Sequence, residues 1–293
     1  MAGIRLEWAQ FGDFDSFDVI RSDAPMDINA LPSPIATNLP TMYHVDTTVV
    51  DGATYYYRVV AWRDAVSKVS GEIQLIASSG DPHWDKVVAL LHFDVDFIDS
   101  KSTTWAAMNG ASVTSAKSKF GGACLDATGL KGVKSSGLSA ANFSSDDWTI
   151  ECFVWIVSKS SYGVLFAKRA SGAYYSPVVI QYDGSANFLT AYLSITGSSW
   201  AFSIPANPPI GEWVHLALER AAGSVTFYVN GVAVNTVSIG SAALMSNANE
   251  FSLGVDGDGN YGINCYIDEF RITKGVARYT ENFTPPDAPF MSY

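Results

Sequence analysis

Four aromatic residues stand in polar stretches of the sequence, where their rings could bind a ligand. They are Trp105, Tyr174, Tyr175 and Trp200, and the stretches around them are rich in Ser, Gly, Asn and Thr, which favour loops. A sugar ring is apolar on one face and polar at its rim, so a flat aromatic ring beside hydroxyl and amide groups suits it. Exposed aromatic rings equally mark contacts with a neighbouring subunit. The sequence leaves both interpretations open.

The sequence lacks complete motifs for dinucleotide binding, for metal binding by histidines and for a serine nucleophile. The segment 257–262 fits G-x-G-x-x-G, but a strand pattern follows it where a dinucleotide site needs a helix, so we interpret it as a tight turn. The four histidines are far apart and lack metal-ligand spacing. The sequence contains no G-x-S-x-G nucleophile motif.

The excess of acidic side chains argues against some classes of binding partner. The 293 residues include 18 basic and 29 acidic side chains, a formal net charge of -11. This argues against binding a nucleic-acid backbone or an anionic membrane surface. Only 16% of the residues are charged, against about 25% in an average globular chain. We therefore expect part of the surface to be covered by other subunits, in a homo-oligomer or in an assembly that holds many copies.

Cysteine usage and hydropathy predict where the protein folds. Cys124, Cys152 and Cys265 stand in apolar alternating runs without short spacing, so we expect buried, reduced thiols and a reducing compartment. The first residues show no secretory signal pattern. The longest uninterrupted apolar run, 87–91, is far shorter than the roughly 18 residues of a membrane helix, so we expect no membrane insertion.

The elements that must position these residues are short strands. In 148–157 the even positions are all apolar, which predicts a strand with one buried face. Asn230-Gly231 between two apolar alternating runs predicts a hairpin with a type I′ turn. Trp148, Trp155 and Trp213 occupy strand positions, and we expect them in the core. Further strands are predicted at 87–93, 123–127, 162–168, 177–182, 188–195, 213–219, 251–255 and 263–272.

Two domains are predicted, joined by a small polar segment that carries Gly and Pro. We place the first domain at 1–78, the linker at 79–86 and the second domain at 87–293. The expected fold class is all-β, with pairs of packed antiparallel sheets.

The second domain resembles the laminin G-like, or concanavalin A-like, antiparallel jelly rolls. The matching segments are VALLHFD at 88–94, KFGGACL at 119–125, DWTIECFVW at 147–155, GEWVHLALER at 211–220, VTFYVNG at 225–231 and IDEFRI at 267–272. The closing stretch TKGVARYTENFTPP at 273–286 resembles the end of such domains in virion proteins of tailed bacteriophages.

The first domain resembles a fibronectin type III sandwich. RLEW at 5–8 is similar to its second strand, FDVIRS at 17–22 to its third and GATYYYRVVA at 52–61 to its sixth. The sequence has almost no room for a first strand before Ile4, which would leave an unpaired edge for docking into an assembly.

The jelly-roll resemblance raises the question of catalysis. Glycoside hydrolysis needs two carboxylates about 5 to 9.5 Å apart, and the related hydrolases carry theirs as E-x-D-x-x-E on one strand face. No such run occurs here, and the adjacent Asp268 and Glu269 are expected on opposite faces of a strand. We expect no enzyme activity. Two carboxylates converging in an open groove would contradict this expectation.

The resemblance also implies a calcium ion in some members. Asp94, Asp96, Asp256 and Asp258 could supply carboxylate ligands, although solvated turns explain the same residues more simply. We expect no obligatory cofactor, with calcium left open.

These observations predict a non-catalytic bacteriophage virion protein, in a tail fibre, baseplate or decoration site, made in the bacterial host cytoplasm. Its jelly roll would bind a host surface glycan or protein, while its first domain anchors it to other virion proteins. Two alternatives stay open: a purely structural cement protein without a receptor, and a glycan depolymerase.

Overall fold

Strands dominate the structure, as the composition predicts. The structure is a computed structural model that describes residues 3–9, 12–77, 80–135, 137–159, 162–169, 173–183, 188–247 and 250–292. Over these ranges the helical segments are two single turns, Trp84–Lys86 and Ser139–Ala141. The all-β prediction is confirmed. None of the helical segments in the described ranges is long and apolar enough to span a bilayer.

The chain folds into two compact units, one up to Pro82 and one at His83–Ser292. The described residues of the first unit form seven strands: β1 Ile4–Glu7, β2 Ser16–Ser22, β3 Pro34–Leu39, β4 Tyr43–Asp46, β5 Thr54–Arg63, β6 Val66–Val69 and β7 Ile73–Ile76. β1 pairs with β4, and a second sheet has the order β3-β2-β5-β6, with β7 also paired to β5. All of these pairs are antiparallel.

The core of the first unit is organised around β5. Tyr57 is fully buried, and its hydroxyl donates a hydrogen bond to Oδ2 of Asp46 over 2.9 Å. Nη1 of Arg21 donates to the same oxygen, also over 2.9 Å. Asp46 therefore ties β4, in one sheet, to β2 and β5 in the other. Its pKa is lowered in spite of burial, because Thr48, Tyr57 and Arg21 all donate to the ionised form.

The second unit contains the remaining strands. They are β8 Val87–Leu91, β9 Trp105–Met108, β10 Ser112–Thr114, β11 Cys124–Ala127, β12 Gly132–Ser135, β13 Trp148–Ile156, β14 Gly163–Ala167, β15 Val178–Tyr182, β16 Leu189–Leu193, β17 Phe202–Ala206, β18 Trp213–Ala221, β19 Ser224–Val229, β20 Val232–Ser238, β21 Ser252–Leu253 and β22 Cys265–Lys274. One sheet has the order β10-β11-β22-β13-β18-β19-β20, and β8 pairs with β22 as its eighth strand. The other has the order β17-β16-β15-β14-β21-β12-β9.

The two sheets of the second unit share one large apolar core, and alternation along β13 shows how it forms. Trp148 and the other even positions of β13 belong to this core, as predicted. Trp155 and Trp213 do not, so the prediction that they belong to the main core is wrong, although Trp213 packs against a smaller apolar cluster that contains Phe153. Both stand on the outer face of the eight-stranded sheet, half-buried, with ring centroids 6.1 Å apart. Trp155 is at an odd position of β13, which the strand alternation places opposite Trp148.

The Asn230-Gly231 hairpin forms between β19 and β20 as predicted. Both residues have positive φ, 49° and 75°, as a type I′ turn requires. A Cβ on Gly231 would lie 1.9 Å from the carbonyl oxygen of Phe283, so only glycine fits against that residue.

A β-bulge in β22 moves two acidic residues onto one face. Ile267 and Phe270 both belong to the main core, so Asp268 and Glu269 between them both leave the core side. Glu269 has a φ of 52°, and the pairing with β13 shifts at this point. The expectation that Asp268 and Glu269 point to opposite faces is therefore wrong, because it assumed regular alternation.

The residues that follow β22, here called the closing segment (275–292), lie against the outer face of the eight-stranded sheet. Phe283 and Tyr279 of this segment stack with ring centroids 3.5 Å apart. The ring of Phe290 lies 6.2 Å from that of Phe153 of β13. The closing segment thus covers part of a sheet face that is opposite the main core.

Candidate functional site

Three of the four predicted binding aromatics meet in one cluster. Tyr174 and Tyr175 have ring centroids 4.9 Å apart, and Tyr175 and Trp200 have centroids 5.2 Å apart. Tyr192, which the sequence did not single out, joins them at 5.4 Å from Trp200. We call these four residues the aromatic cluster. The interplanar angles run from 38° to 87°, so the rings form a corrugated surface and not a flat plane.

The cluster is built on the outer face of the seven-stranded sheet. Tyr192 stands on β16, and together with Trp200 it packs on Val164, Ala167 and Val179 of β14 and β15. The hydroxyl of Tyr192 donates a hydrogen bond to Asp183, at the end of β15. All five residues of β14 are apolar or glycine and buried, so this strand presents an apolar surface on both faces of the sheet.

A tight turn places Trp200 on this face. Oγ of Ser194 accepts a hydrogen bond from the backbone N–H of Gly197 and donates one to the carbonyl of Ser199. The backbone N–H of Ala201 returns to the carbonyl of Leu193 over 2.8 Å. These hydrogen bonds fix the 194–201 turn, so Trp200 has a defined position. Tyr174 is the most accessible ring of the cluster, 66% exposed, while the other three are half-buried.

Trp105 does not belong to the cluster, and the prediction that it lies in a binding loop is wrong. It begins strand β9 and is only 7% exposed. Its ring packs edge-on against Phe270 of the main core at 6.0 Å, and its Nε1–H donates to Oδ2 of Asp99 over 3.1 Å. Asp99 supplies the polar partner that a buried indole needs, so a Trp in a polar stretch becomes a core residue.

A cleft of about 360 Å³ lies beside the cluster, and Tyr174 lines it. Its other described lining residues are contributed by β14, β15 and the loops next to β14 and β22: Tyr162, Gly163, Val164, Arg169, Ala173, Gln181, Tyr182, Asp256, Asp258 and Tyr261. Tyr162 and Tyr261 form a second pair of rings, with centroids 6.3 Å apart. The volume is in the range of small-ligand sites.

An ion pair lines the cleft and connects it to the cluster. Nε and Nη2 of Arg169 donate to the two oxygens of Asp256 over 2.6 and 2.7 Å. Nη1 of Arg169 donates to the backbone carbonyl of Tyr174 over 3.1 Å. Arg169 is 7% and Asp256 8% exposed. This bidentate pair therefore positions the backbone that carries Tyr174.

Two of the four calcium candidates, Asp256 and Asp258, lie in this cleft. Both oxygens of Asp256 are engaged by Arg169, which already supplies a positive charge where a cation would bind. Asp258 is exposed, and its Oδ1 accepts the backbone N–H of Asn260. Across the described ranges, no group of three or more His, Cys, Asp or Glu could hold a metal ion. The cleft therefore does not fit calcium.

The other two candidates differ from each other. Asp96 is exposed, and its Oδ1 accepts the backbone N–H of Ile98, as in an ordinary turn. Asp94 has a buried Oδ1 for which the described residues offer no hydrogen-bond donor, and so does Asp268. Asp94 and Asp268 both adjoin the 119–121 turn: the other oxygen of Asp268 accepts the backbone N–H of Phe120, and Asp94 lies against Gly121. Carboxylate oxygens without a donor are ligands that calcium accepts, but calcium takes about 6–8 oxygens, so backbone carbonyls or water would have to supply the others.

Burial accounts for the unusual titration of Asp268. Desolvation raises the pKa of its carboxyl to about 7, although the backbone N–H groups of Lys119 and Phe120 favour the ionised form. Neighbouring Glu269 and Asp94 raise it further. A bound cation would offset the desolvation cost of the ionised Asp268 carboxylate.

A network of buried charges lies on the outer face of the eight-stranded sheet, under the closing segment. Burial alone would raise the pKa of Glu151, but Arg271, His215 and Arg278 hold it well below its usual range. Among the described residues, the donors to Glu219 are neutral: the hydroxyl of Thr149 and the backbone N–H groups of Tyr279 and Arg278. Burial raises the pKa of Glu219 to about 7. Both glutamates are 1% exposed, so this network offers no open groove for a substrate.

With the geometry described, comparison with known proteins identifies the family. The family model of the concanavalin A-like lectin/glucanases superfamily matches residues 131–280, half of the chain. The chain belongs to this superfamily. The jelly-roll resemblance of the second unit is thereby confirmed over the matched residues. No curated protein matches the sequence.

Solved structures of the superfamily fold show the same likeness at low identity. The binding domain of Paraclostridial Mosquitocidal Protein 1 is 13% identical with a TM-score of 0.52, and covers 65% of this chain and 49% of that one. The binding domain of Botulinum Neurotoxin serotype G is 12% identical with a TM-score of 0.52, covering 65% and 48%. The binding domain of Botulinum Neurotoxin DC, solved in complex with SialylT, is 14% identical with a TM-score of 0.50, covering 65% and 48%. The chain thus spans about half the length of these structures.

Proposed function

We propose that the second unit binds glycan through the aromatic cluster and the cleft beside it. One observation carries this proposal: the adjacent Tyr174 and Tyr175 meet Trp200 from a separate turn, and Tyr174 also lines a cleft that has polar groups. Aromatic faces beside polar side chains are the surface that a sugar ring needs. The neurotoxin domain solved with SialylT lends support as a protein of similar fold with a bound ligand.

The proposed activity is adhesion without catalysis. Two carboxylates, Asp256 and Asp258, do line the cleft. However, both oxygens of Asp256 accept hydrogen bonds from Arg169, so this carboxyl is not available as a proton donor to a glycosidic oxygen. The acidic pairs elsewhere on the sheet, such as Asp268 and Glu269, are fully buried.

We further propose the setting of a bacteriophage virion. The resemblance of the stretch 273–286 to the end of virion jelly rolls supports it, and so does the low share of charged residues. The first unit, with β1 and β4 in one sheet and β3-β2-β5-β6 in the other, is proposed to be fibronectin type III-like and to anchor the chain to other virion proteins. Many copies on one particle would convert weak sugar contacts into firm attachment.

Calcium is proposed as a structural ion and not as part of the glycan site. Asp94 and Asp268 would hold it through the oxygens for which the described residues provide no donor. When bound there, calcium would neutralise buried carboxylates beside the glycine turn at 121–122.

A glycan array with the full chain tests the binding proposal. Tyr174→Ala is the main variant because Tyr174 is exposed, and we expect it to weaken binding at least about threefold. Trp200→Ala is a second variant, measured together with its melting temperature because Trp200 packs on the sheet. Tyr43→Ala, an exposed tyrosine of the first unit, is the matched control and should bind as the wild type does.

Adsorption and assembly assays separate the alternatives. A structural cement protein would bind no glycan. Particles that carry Tyr174→Ala or Trp200→Ala would then adsorb to the host normally, whereas particles would fail to assemble without the chain. Release of reducing ends from host polysaccharide would establish a depolymerase.

A further inference from the structure

The cleft carries a second pair of aromatic rings that the aromatic cluster does not include. Tyr162 and Tyr261 are 58% and 56% exposed, and both line the cleft that Tyr174 lines. Their rings meet edge-on at 67°. A ligand that covers large exposed rings on a cavity wall removes their apolar surface from water, which is favourable. Such rings are therefore suited to stack against a ligand.

The backbone around Tyr261 holds its ring in place. Tyr261 has a φ of 53°, a conformation that is uncommon for a bulky residue. Its carbonyl accepts the backbone N–H of Val164 on β14 over 2.8 Å, and the next residue, Gly262, bridges to Val164. A Cβ on Gly262 would lie 2.1 Å from the carbonyl oxygen of Gly129. A well-fixed loop with an unfavourable backbone angle is a common feature of binding sites.

The charges of the cleft limit what can bind. Among the described residues that line it, the charged side chains are Arg169, Asp256 and Asp258. Each nitrogen of the Arg169 guanidinium already has an acceptor, two on Asp256 and one on the backbone of Tyr174. Asp258 is exposed, and its negative charge is not balanced by a cation within the described part of the chain. An anionic sugar would therefore meet net negative charge without a free positive partner.

We propose that this cleft binds an uncharged glycan, with Tyr162 and Tyr261 as a second stacking surface beside the aromatic cluster. This inference rests on the proposed glycan-binding function and adds the ligand class and two further contact residues. Asp258 acts as the residue that excludes carboxylated and sulfated sugars, because they would approach its carboxylate in a partly enclosed site.

The first experiment compares sugars that share a backbone and differ in charge. Oligogalacturonate and its methyl ester form one pair, and sialyllactose and its methyl ester form another, both included on an array of uncharged, carboxylated and sulfated glycans. The full chain is applied with calcium and with EDTA. We expect binding confined to uncharged glycans under both conditions. Binding confined to charged glycans, or dependent on calcium, overturns this inference while the proposed glycan-binding function stands.

The second experiment uses variants on the best uncharged array ligand. Tyr162→Ala and Tyr261→Ala are each expected to weaken binding at least about threefold, with Tyr43→Ala as the control. Asp258→Asn and Asp258→Lys should progressively admit the carboxylated member of each pair. If Tyr174→Ala weakens binding but the Tyr162 and Tyr261 variants do not, the second stacking surface is refuted. If no array glycan binds, the proposed function fails and this inference with it.

Discussion

The hydroxyl of Tyr279 donates a hydrogen bond to Oε2 of Glu151 over 2.7 Å, so the closing segment supplies a partner to a buried carboxylate of the central strand β13. The backbone N–H of the same tyrosine donates to Glu219 over 2.8 Å. One residue of the closing segment thus satisfies acceptors on two neighbouring strands. The segment is a part of the fold and not an appendage to it.

Tyr279→Phe removes one donor from the buried Glu151 and keeps the ring. We expect a loss of about 1.5–3 kcal/mol in the free energy of unfolding, the usual contribution of a hydrogen bond to a charged acceptor. Urea unfolding followed by far-UV circular dichroism measures it. Tyr43→Phe, at an exposed site, should change the value by less than about 0.5 kcal/mol. Equal stability of the two variants would show that the hydrogen bond to Glu151 is not needed.

Glu219 gives the stability a pH dependence of definite sign. Burial raises the pKa of its carboxyl from 4.5 to about 7, so the folded state binds more protons than the unfolded state between these values. The contribution of Glu219 is therefore most favourable below about pH 4.5 and is lost as the pH rises to about 7. Glu219→Gln cannot ionise, so its unfolding free energy should improve relative to that of the wild type as the pH rises through this window. Parallel curves for the two proteins between pH 4.5 and 7.5, measured in EDTA, would contradict the assignment.

Gly231 and Gly211 offer a matched test of the contact between the hairpin and the closing segment. Both have positive φ, 75° and 78°, but a Cβ on Gly211 meets no atom within 4 Å, whereas one on Gly231 would strike the backbone of Phe283. Alanine at either position costs about 1–2 kcal/mol for its backbone conformation. Gly231→Ala should cost about 1–3 kcal/mol more, because the closing segment must shift. Thermal unfolding compares the two variants, and we expect the lower melting temperature for Gly231→Ala. Equal melting temperatures would argue against the contact with Phe283.

Calcium should stabilise the second unit through Asp94 and Asp268. At a concentration one hundred times its Kd, a ligand that binds only the folded state adds about 2.7 kcal/mol, so calcium should raise the melting temperature relative to EDTA. The rise should shrink below about pH 7, where the Asp268 carboxyl retains its proton. Asp268→Asn and Asp94→Asn should abolish the rise, whereas Asp96→Asn, in an exposed turn, should keep it. A rise that survives in Asp268→Asn would place the ion elsewhere.

Local pattern was sufficient for much of the fold. Strict alternation predicted β13 and β18, and Asn230-Gly231 predicted the hairpin, because both signals depend only on neighbouring residues. The short strands β9 and β17 were not predicted, because the sequence WAAM of β9 shows no apolar alternation and Pro205 within β17 disfavours a strand. Trp105 was therefore predicted in a loop. The residue that accepts the hydrogen bond of its buried indole N–H, Asp99, lies in a separate turn, and the local sequence does not indicate this contact.

The site itself was predictable only in part. Residue type and a polar setting selected Tyr174, Tyr175 and Trp200, which do meet. The pairing of Arg169 with Asp256, and of Tyr162 with Tyr261, joins segments far apart in the sequence, and no local pattern reports such contacts. The bulge at Glu269 likewise depends on how β22 fits between its neighbours.

The position of β22 has a consequence for biogenesis. This strand lies between β11 and β13 and also pairs with β8, yet it follows every other strand of the described residues in sequence. A nascent chain that has reached β20 already displays most of the apolar strands, while the middle of the larger sheet is still missing. Native pairing must wait until residues 265–274 have left the ribosome, and such long-range closure is slow. We therefore expect the unfinished chain to be prone to aggregation during translation and its yield to depend on chaperone supply.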